Sequence, residues 1–205
     1  MIPAQHSHWF QSIFHLYLNF IVKRSFKKIE IKGTVQDKGM PILVIANHMS
    51  WWDGFWVLRL NKKVFKRKFH VMMLEEQLRN NQFLSKLGAF SIRKRSKSVI
   101  ESLQYASNIL TNNNNLLLLF PQGVIQSQHQ RPFLFEQGWG RIFENLKNPV
   151  QVIMIAHLVD YFSSPKPRVN QYINCLTEAT EYTCKNLQDE YNAFFEDCVN
   201  QQQET

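Results

Sequence analysis

Three short, strongly apolar runs do most to limit what this chain can fold into: Pro41–Ala46 (PILVIA), Leu116–Phe120 (LLLLF) and Val150–Leu158 (VQVIMIAHL, broken only by Gln151 and His157). A strand in a sheet covered by helices on both faces loses the polar alternation of a half-exposed strand and reads as a continuous apolar segment. Segments of helical pattern fall between these runs. Helices are predicted over Trp52–Leu60, Glu75–Leu87 with Gly88 as its C-cap, Ser98–Leu110 beginning after Ser96, and Asn186–Val199. Further strands are predicted at Ile29–Thr34, Phe69–Leu74 and Phe90–Ile92, with Val169–Leu176 as an edge strand. Strands alternating with helices indicate an α/β fold: one domain, with a mixed, mainly parallel sheet flanked by helices. A length of 205 residues suits a single domain with a sizeable core.

The N-terminal segment reads differently. Over residues 8–27, Trp9, Ile13, Leu16, Phe20 and Val22 recur at helical spacing, and Phe10, Phe14, Tyr17, Leu18 and Ile21 widen the apolar face. The segment closes on Lys23, Arg24, Lys27 and Lys28. Such a helix fits an anchor lying on an anionic bilayer surface, and it equally fits a helix packed on the domain core with a solvated basic end. The expected organisation is therefore an amphipathic helix over residues 1–28 and the α/β domain over 29–205. The stretch from Trp9 to Val22 is too short and too polar to span a bilayer, and MIPAQHSH lacks the pattern of a secretory signal.

The formal charge of +8 draws the chain to polyanions, and the 13% aromatic content suits either a dense core or lipid contact. No zinc-finger, RNP or basic-zipper pattern is present, so nucleic acid is not an expected partner. Cys175, Cys184 and Cys198 have neither disulfide-framework nor metal-ligand spacing and read as reduced thiols; no metal is expected. His70, His129 and His157 read as ordinary surface or core histidines.

The chemistry concentrates just after PILVIA. Catalytic groups in α/β sheets collect beyond the carboxyl ends of strands, where His48 stands, with Asp53 five residues later at the start of a helix. A carboxylate on one imidazole nitrogen fixes the tautomer and supports the imidazolium formed when the other nitrogen takes a proton. The pair is a general base without its own nucleophile, which leaves a substrate hydroxyl as the attacking group. Trp51 and Trp52, between the two, read either as walls of a substrate channel or as core anchors.

The wider pattern resembles the lysophospholipid acyltransferase family, which includes the 1-acylglycerol-3-phosphate and glycerol-3-phosphate acyltransferases. Asn47-His48-Met49-Ser50-Trp51-Trp52-Asp53 matches its NHxxxxD block. Gly88–Lys94 looks like the second block, Phe120-Pro121-Gln122-Gly123 like the third (Phe-Pro-Glu-Gly), and Val150-Gln151-Val152 falls where a Val-Pro-Ile-like fourth is expected. The resemblance implies that His48, oriented by Asp53, takes the proton of an acceptor hydroxyl. That oxygen then attacks the thioester of acyl-CoA or acyl-carrier protein, a co-substrate rather than a cofactor. It assigns substrate contacts to Asn47, Arg93, Lys94, Phe120, Pro121, Gln122 and Gly123, with Arg95 also within reach of a phosphate. It implies work at the cytoplasmic face of a membrane, as a peripheral or monotopic protein bound to anionic lipid. Gln122 stands where the family has Glu, Val124 where it has Thr, Arg93 where it has an acid, and the fourth block lacks its proline. These departures leave the acceptor open between lysophosphatidate and another lipid hydroxyl. They also leave a non-catalytic lipid-binding or assembly protein on the same fold as the alternative.

Overall fold

The computed structural model describes residues 1–94, 98–176 and 183–204. Seven strands form one sheet in the order β1-β7-β6-β2-β5-β3-β4. They are β1 (Lys28–Lys32), β2 (Ile42–Ala46), β3 (Lys68–Leu74), β4 (Ala89–Ile92), β5 (Asn115–Leu119), β6 (Gln151–Asp160) and β7 (Arg168–Leu176). Every pairing is parallel except β6 with β7. The α/β fold with a mixed, mainly parallel sheet is therefore as the sequence indicates.

The apolar runs of β2 and β5 are uninterrupted because both sheet faces are covered. In β2, Leu43 and Ile45 join one core with the helices α5 (Ser98–Ile109) and α7 (Cys184–Asn200). Ile42, Val44 and Ala46 join the other with α1 (His8–Ser25) and α2 (Asp53–Lys63). In β5, Leu117 and Leu119 divide in the same way from Leu116 and Leu118. All five residues of β2 are buried.

Two local expectations are corrected. The Val169–Leu176 strand is not an edge strand: β7 lies between β1 and β6, and β1 and β4 are the edges. The antiparallel turn back from β6 gives β7 one neighbour, and the N-terminal strand supplies the other. Edge position depends on which distant segment docks, and no local pattern encodes that. The single helix predicted over Glu75–Leu87 is two short ones, α3 (Glu75–Asn80) and α4 (Phe83–Lys86), broken where Asn81 bonds back to the Leu78 and Gln77 carbonyls. Asn competes with helix continuation through bonds of this kind. Smaller shifts occur at α2, which runs on to Lys63, and at β5, which takes Asn115 from the predicted loop. Arg95 and Ser96 lie outside the described residues.

Residues 1–7 lie along the β4 edge, where the Ser91 N–H donates to the Ile2 carbonyl and the Ile2 N–H to Ser91 Oγ. Covering an edge strand in this way removes unpaired backbone groups from solvent. Ser7 then caps α1, which packs Leu18 and Val22 into the body and sets Phe14 against Phe55. Trp9, Leu16 and Phe20 on its other side are 75%, 73% and 65% exposed. Among the described residues, no helix is long and apolar enough to cross a membrane.

Candidate active site at the end of β2

β2 sits mid-sheet with β5 on one side and β6 on the other, so the loops leaving β2 and β5 meet at a change of winding direction, where α/β sheets form crevices. The parallel register pairs Ile45 with Leu119, so counting three residues on brings His48 level with Gln122. The first and third sequence blocks, 74 residues apart, are joined there by the His48 N–H, which donates to Gln122 Oε1 at 2.6 Å.

Ser50-Trp51-Trp52-Asp53 forms a reciprocally bonded turn just ahead of α2, whose N-cap residue, Trp52, has no side-chain cap bond. The Trp52 N–H donates to Ser50 Oγ at 3.0 Å, and the Ser50 N–H donates back to Asp53 Oδ2 at 2.9 Å. Asp53 Oδ2 also accepts from the Met49 N–H at 2.7 Å, and Oδ1 accepts from the Ser50 hydroxyl at 2.9 Å. The carboxylate is fully buried and tied at a helix N-terminus, where negative charge is favoured. From that position Oδ2 lies 2.8 Å from His48 Nδ1. The ring stacks on Phe120, with centroids 4.3 Å apart, and its side chain keeps 22% of its surface open. A ring held at Nδ1 by a carboxylate, with an accessible remainder, can exchange a proton with an incoming group.

The other expected site residues have definite places. Asn47 is buried and continues the sheet ladder: its Nδ2 donates to the His157 carbonyl at 3.0 Å and its Oδ1 accepts from the His157 N–H at 2.8 Å. Gln122 is buried, and both ends of its amide are used within the protein, Oε1 by His48 and Nε2 by Gln126 Oε1 at 2.7 Å. Phe120 and Pro121 build the turn closed by the Gly123 N–H onto the Phe120 carbonyl, and Gly123 takes φ +68°. Lys94 reaches this turn, donating to the Gly123 carbonyl at 3.0 Å and to Glu136 Oε1 at 2.7 Å. Arg93 donates to Glu75 Oε1 at 2.6 Å while its guanidinium remains more than half exposed. Hydrogen bonds from Arg79 and Arg93 hold the Glu75 carboxyl below its usual range.

Beneath the pair lies His157, wholly buried, edge-on to Trp56 and bonded at Nε2 to the Gln171 amide at 3.1 Å. Burial pushes its imidazole down to about 4, against the opposing pull of Asp53, so it is neutral around pH 7. His70 is likewise buried, whereas His129 is exposed. An apolar cavity of about 380 Å³ borders the site, lined by Phe14 and Tyr17 of α1, Trp51, Trp52, Phe55 and Phe83. Among the described residues no cluster of three or more His, Cys, Asp or Glu could hold a metal ion.

The sequence signature of the acyltransferase family matches residues 27–156, well over half of the chain. The chain belongs to the acyltransferase family. The matched span of the acyltransferase domain includes both His48 and Asp53 and the Phe120–Gly123 turn, and it ends within β6. No curated protein matches the chain. Two elements that buttress the site lie outside the span: α1, which walls the cavity, and α7. From α7 the buried Tyr191 hydroxyl donates to the Ile155 carbonyl at 2.8 Å and lies 3.4 Å from Asn47 Oδ1. Sequence reasoning did not single out Ser50, Gln126, Glu136 or Tyr191. The Ser-x-x-Asp spacing was a readable signal for Ser50, whereas Glu136 and Tyr191 act only across the fold and Gln126 reaches His48 across it.

Proposed function

We propose that this acyltransferase moves a fatty acyl group from acyl-CoA or acyl-carrier protein onto a hydroxyl of a lysophospholipid or related lipid, at the surface of an anionic membrane. The observation that carries the reading is the His48–Asp53 pair, with its 2.8 Å contact, buried carboxylate and partly open ring. The nearest hydroxyl, that of Ser50, is spent on Asp53 and on the Trp52 N–H, which leaves the substrate to supply the nucleophile. His48 takes the acceptor proton as the acceptor oxygen attacks the thioester carbon. The C–S bond breaks, and the imidazolium returns the proton to the departing thiolate. General-base help of this kind is worth about 10²–10⁴-fold. The cavity beside Trp51 and Trp52 suits the acyl chain, since it is apolar and is walled by the two residues that precede Asp53. Arg93 and Lys94 suit an acidic headgroup. The exposed Trp9, Leu16 and Phe20, followed by Lys23 and Arg24, suit a helix lying in the lipid interface on the cytoplasmic side, where acyl donors are found.

The test is thiol release from acyl-CoA by purified protein in mixed micelles over a panel of lyso-lipids, repeated with acyl-carrier protein as donor, with His48→Ala as control. Release that needs both an acceptor and His48 is expected. A folded His48→Ala protein with full activity would sink the mechanism, and vesicle binding without turnover on any acceptor would identify a lipid-binding protein instead.

A further inference from the structure

The ladder of β2 ends at Ala46, so the peptide groups of His48 lie past the reach of ordinary strand pairing. Buried or half-buried backbone groups still require partners. Here both are supplied by one short loop. The His48 N–H donates to Gln122 Oε1 at 2.6 Å, and the Gln126 N–H donates to the His48 carbonyl at 2.8 Å. The Gln122 Nε2–H then donates to Gln126 Oε1 at 2.7 Å and closes the loop into a ring of three hydrogen bonds around His48.

We propose that Gln126 is a positioning residue for His48, acting through Gln122 as a clamp built from two neutral amides. The amide at 122 serves both bonds: its oxygen accepts from the His48 N–H and its nitrogen donates to Gln126 Oε1, whereas a carboxylate could only accept and Gln126 would have to turn its amide to donate. The glutamine at 122 is thus matched to the glutamine at 126, and the pair brackets the base without placing a second carboxylate beside Asp53. The ring fixes the backbone that aims the imidazole, while Asp53 fixes the imidazole itself. An error of about 1 Å in such a group costs up to about 10²-fold in rate. The Gln126 side chain is bonded to Gln122 and not to Asp53 or the imidazole, so the side chain's effect passes through Gln122.

The proposal rests on the acyl-transfer reading, and its test has one arm that does not. Gln126→Met keeps the volume and the backbone bond to His48 but removes the acceptor for Gln122; Gln126→Glu keeps an acceptor. Each variant is assayed for kcat and both KM values. Each is also labelled with ¹⁵N-histidine, so that the downfield proton of the His48–Asp53 bond can be followed by NMR. One neutral hydrogen bond corresponds to about 3–10-fold in rate. Gln126→Met should lower kcat by about that factor, leave both KM values and the melting temperature near those of the unaltered protein, and broaden the downfield proton by exchange. Gln126→Glu, which keeps the acceptor for Gln122 while adding a charge, should restore the sharp resonance. An unchanged resonance in Gln126→Met, or an unchanged kcat in an active enzyme, would overturn the proposal. If the unaltered protein transfers no acyl group, the acyl-transfer reading fails while the resonance still decides the clamp.

Discussion

Replacing Asp53 with Asn isolates the charge behind the base from the geometry that holds it. Asn is nearly isosteric. Its oxygen, placed where Oδ2 stands, still accepts from the Met49 and Ser50 N–H groups at 2.7 and 2.9 Å and still faces His48 Nδ1 at 2.8 Å. Its amide nitrogen would face the Ser50 hydroxyl, which can turn to accept. The loop and the start of α2 should survive, with a melting temperature within a few degrees of the starting protein. The imidazolium formed in the transition state, however, loses its counter-charge. Two unit charges about 4 Å apart interact by about 4 kcal/mol at an effective dielectric of ~20. Part of this is lost because the His48 side chain keeps 22% of its surface open to solvent. A loss of about 2–4 kcal/mol remains, roughly 30- to 1,000-fold in kcat at unchanged KM. The assay is acceptor-dependent thiol release near neutral pH, with a thermal melt run beside it. Full activity in a folded Asp53→Asn protein would refute the reasoning, because it would mean that no positive charge develops on His48 in the rate-limiting step.

Three other predictions test the fold and the surface. Changing Trp9, Leu16 and Phe20 together to Ser should weaken binding to anionic vesicles by about 10²-fold or more without lowering the melting temperature, since these side chains are exposed and each would bury apolar area only in lipid; co-sedimentation with vesicles reads it, and unchanged binding refutes a lipid-facing role for α1. Gly88→Ala should cost more than about 2 kcal/mol, lowering the melting temperature by roughly 5 °C or more, because Gly88 has φ +110° and a Cβ there would overlap the Phe69 carbonyl oxygen. Stability should fall as pH drops from 6.5 to about 4, since burial pushes His70 and His157 to about 4 in the folded state whereas the unfolded chain protonates near 6.5. The contribution is fully present above pH 6.5 and is lost on acidification, with each histidine worth on the order of 3 kcal/mol; a melting temperature flat across that range would refute it.

Patterns confined to a few residues were legible in the chain itself. The runs at Pro41–Ala46 and Leu116–Phe120 specified buried strands, because burial on both faces leaves no polar position to interrupt them. His48 and Asp53 were legible because five residues bridging a strand end and a helix start form one local turn, and the Ser-x-x-Asp spacing inside that turn was equally available. Longer-range decisions were not. Whether β7 lies at an edge depends on the docking of β1 beside it, 140 residues away in the chain at the Lys32–Tyr172 pair. The internal partners of Asn47 and Gln122 were hidden for the same reason. Nothing in their local sequence reports that His157 and Tyr191 will meet one, or that the His48 N–H will meet the other. A hydrogen-bonding side chain has no fixed partner until packing brings an unsatisfied group within about 3 Å of it. The sequence therefore determined which residues gather in the turn after β2, and the tertiary structure decided which residues hold them in place.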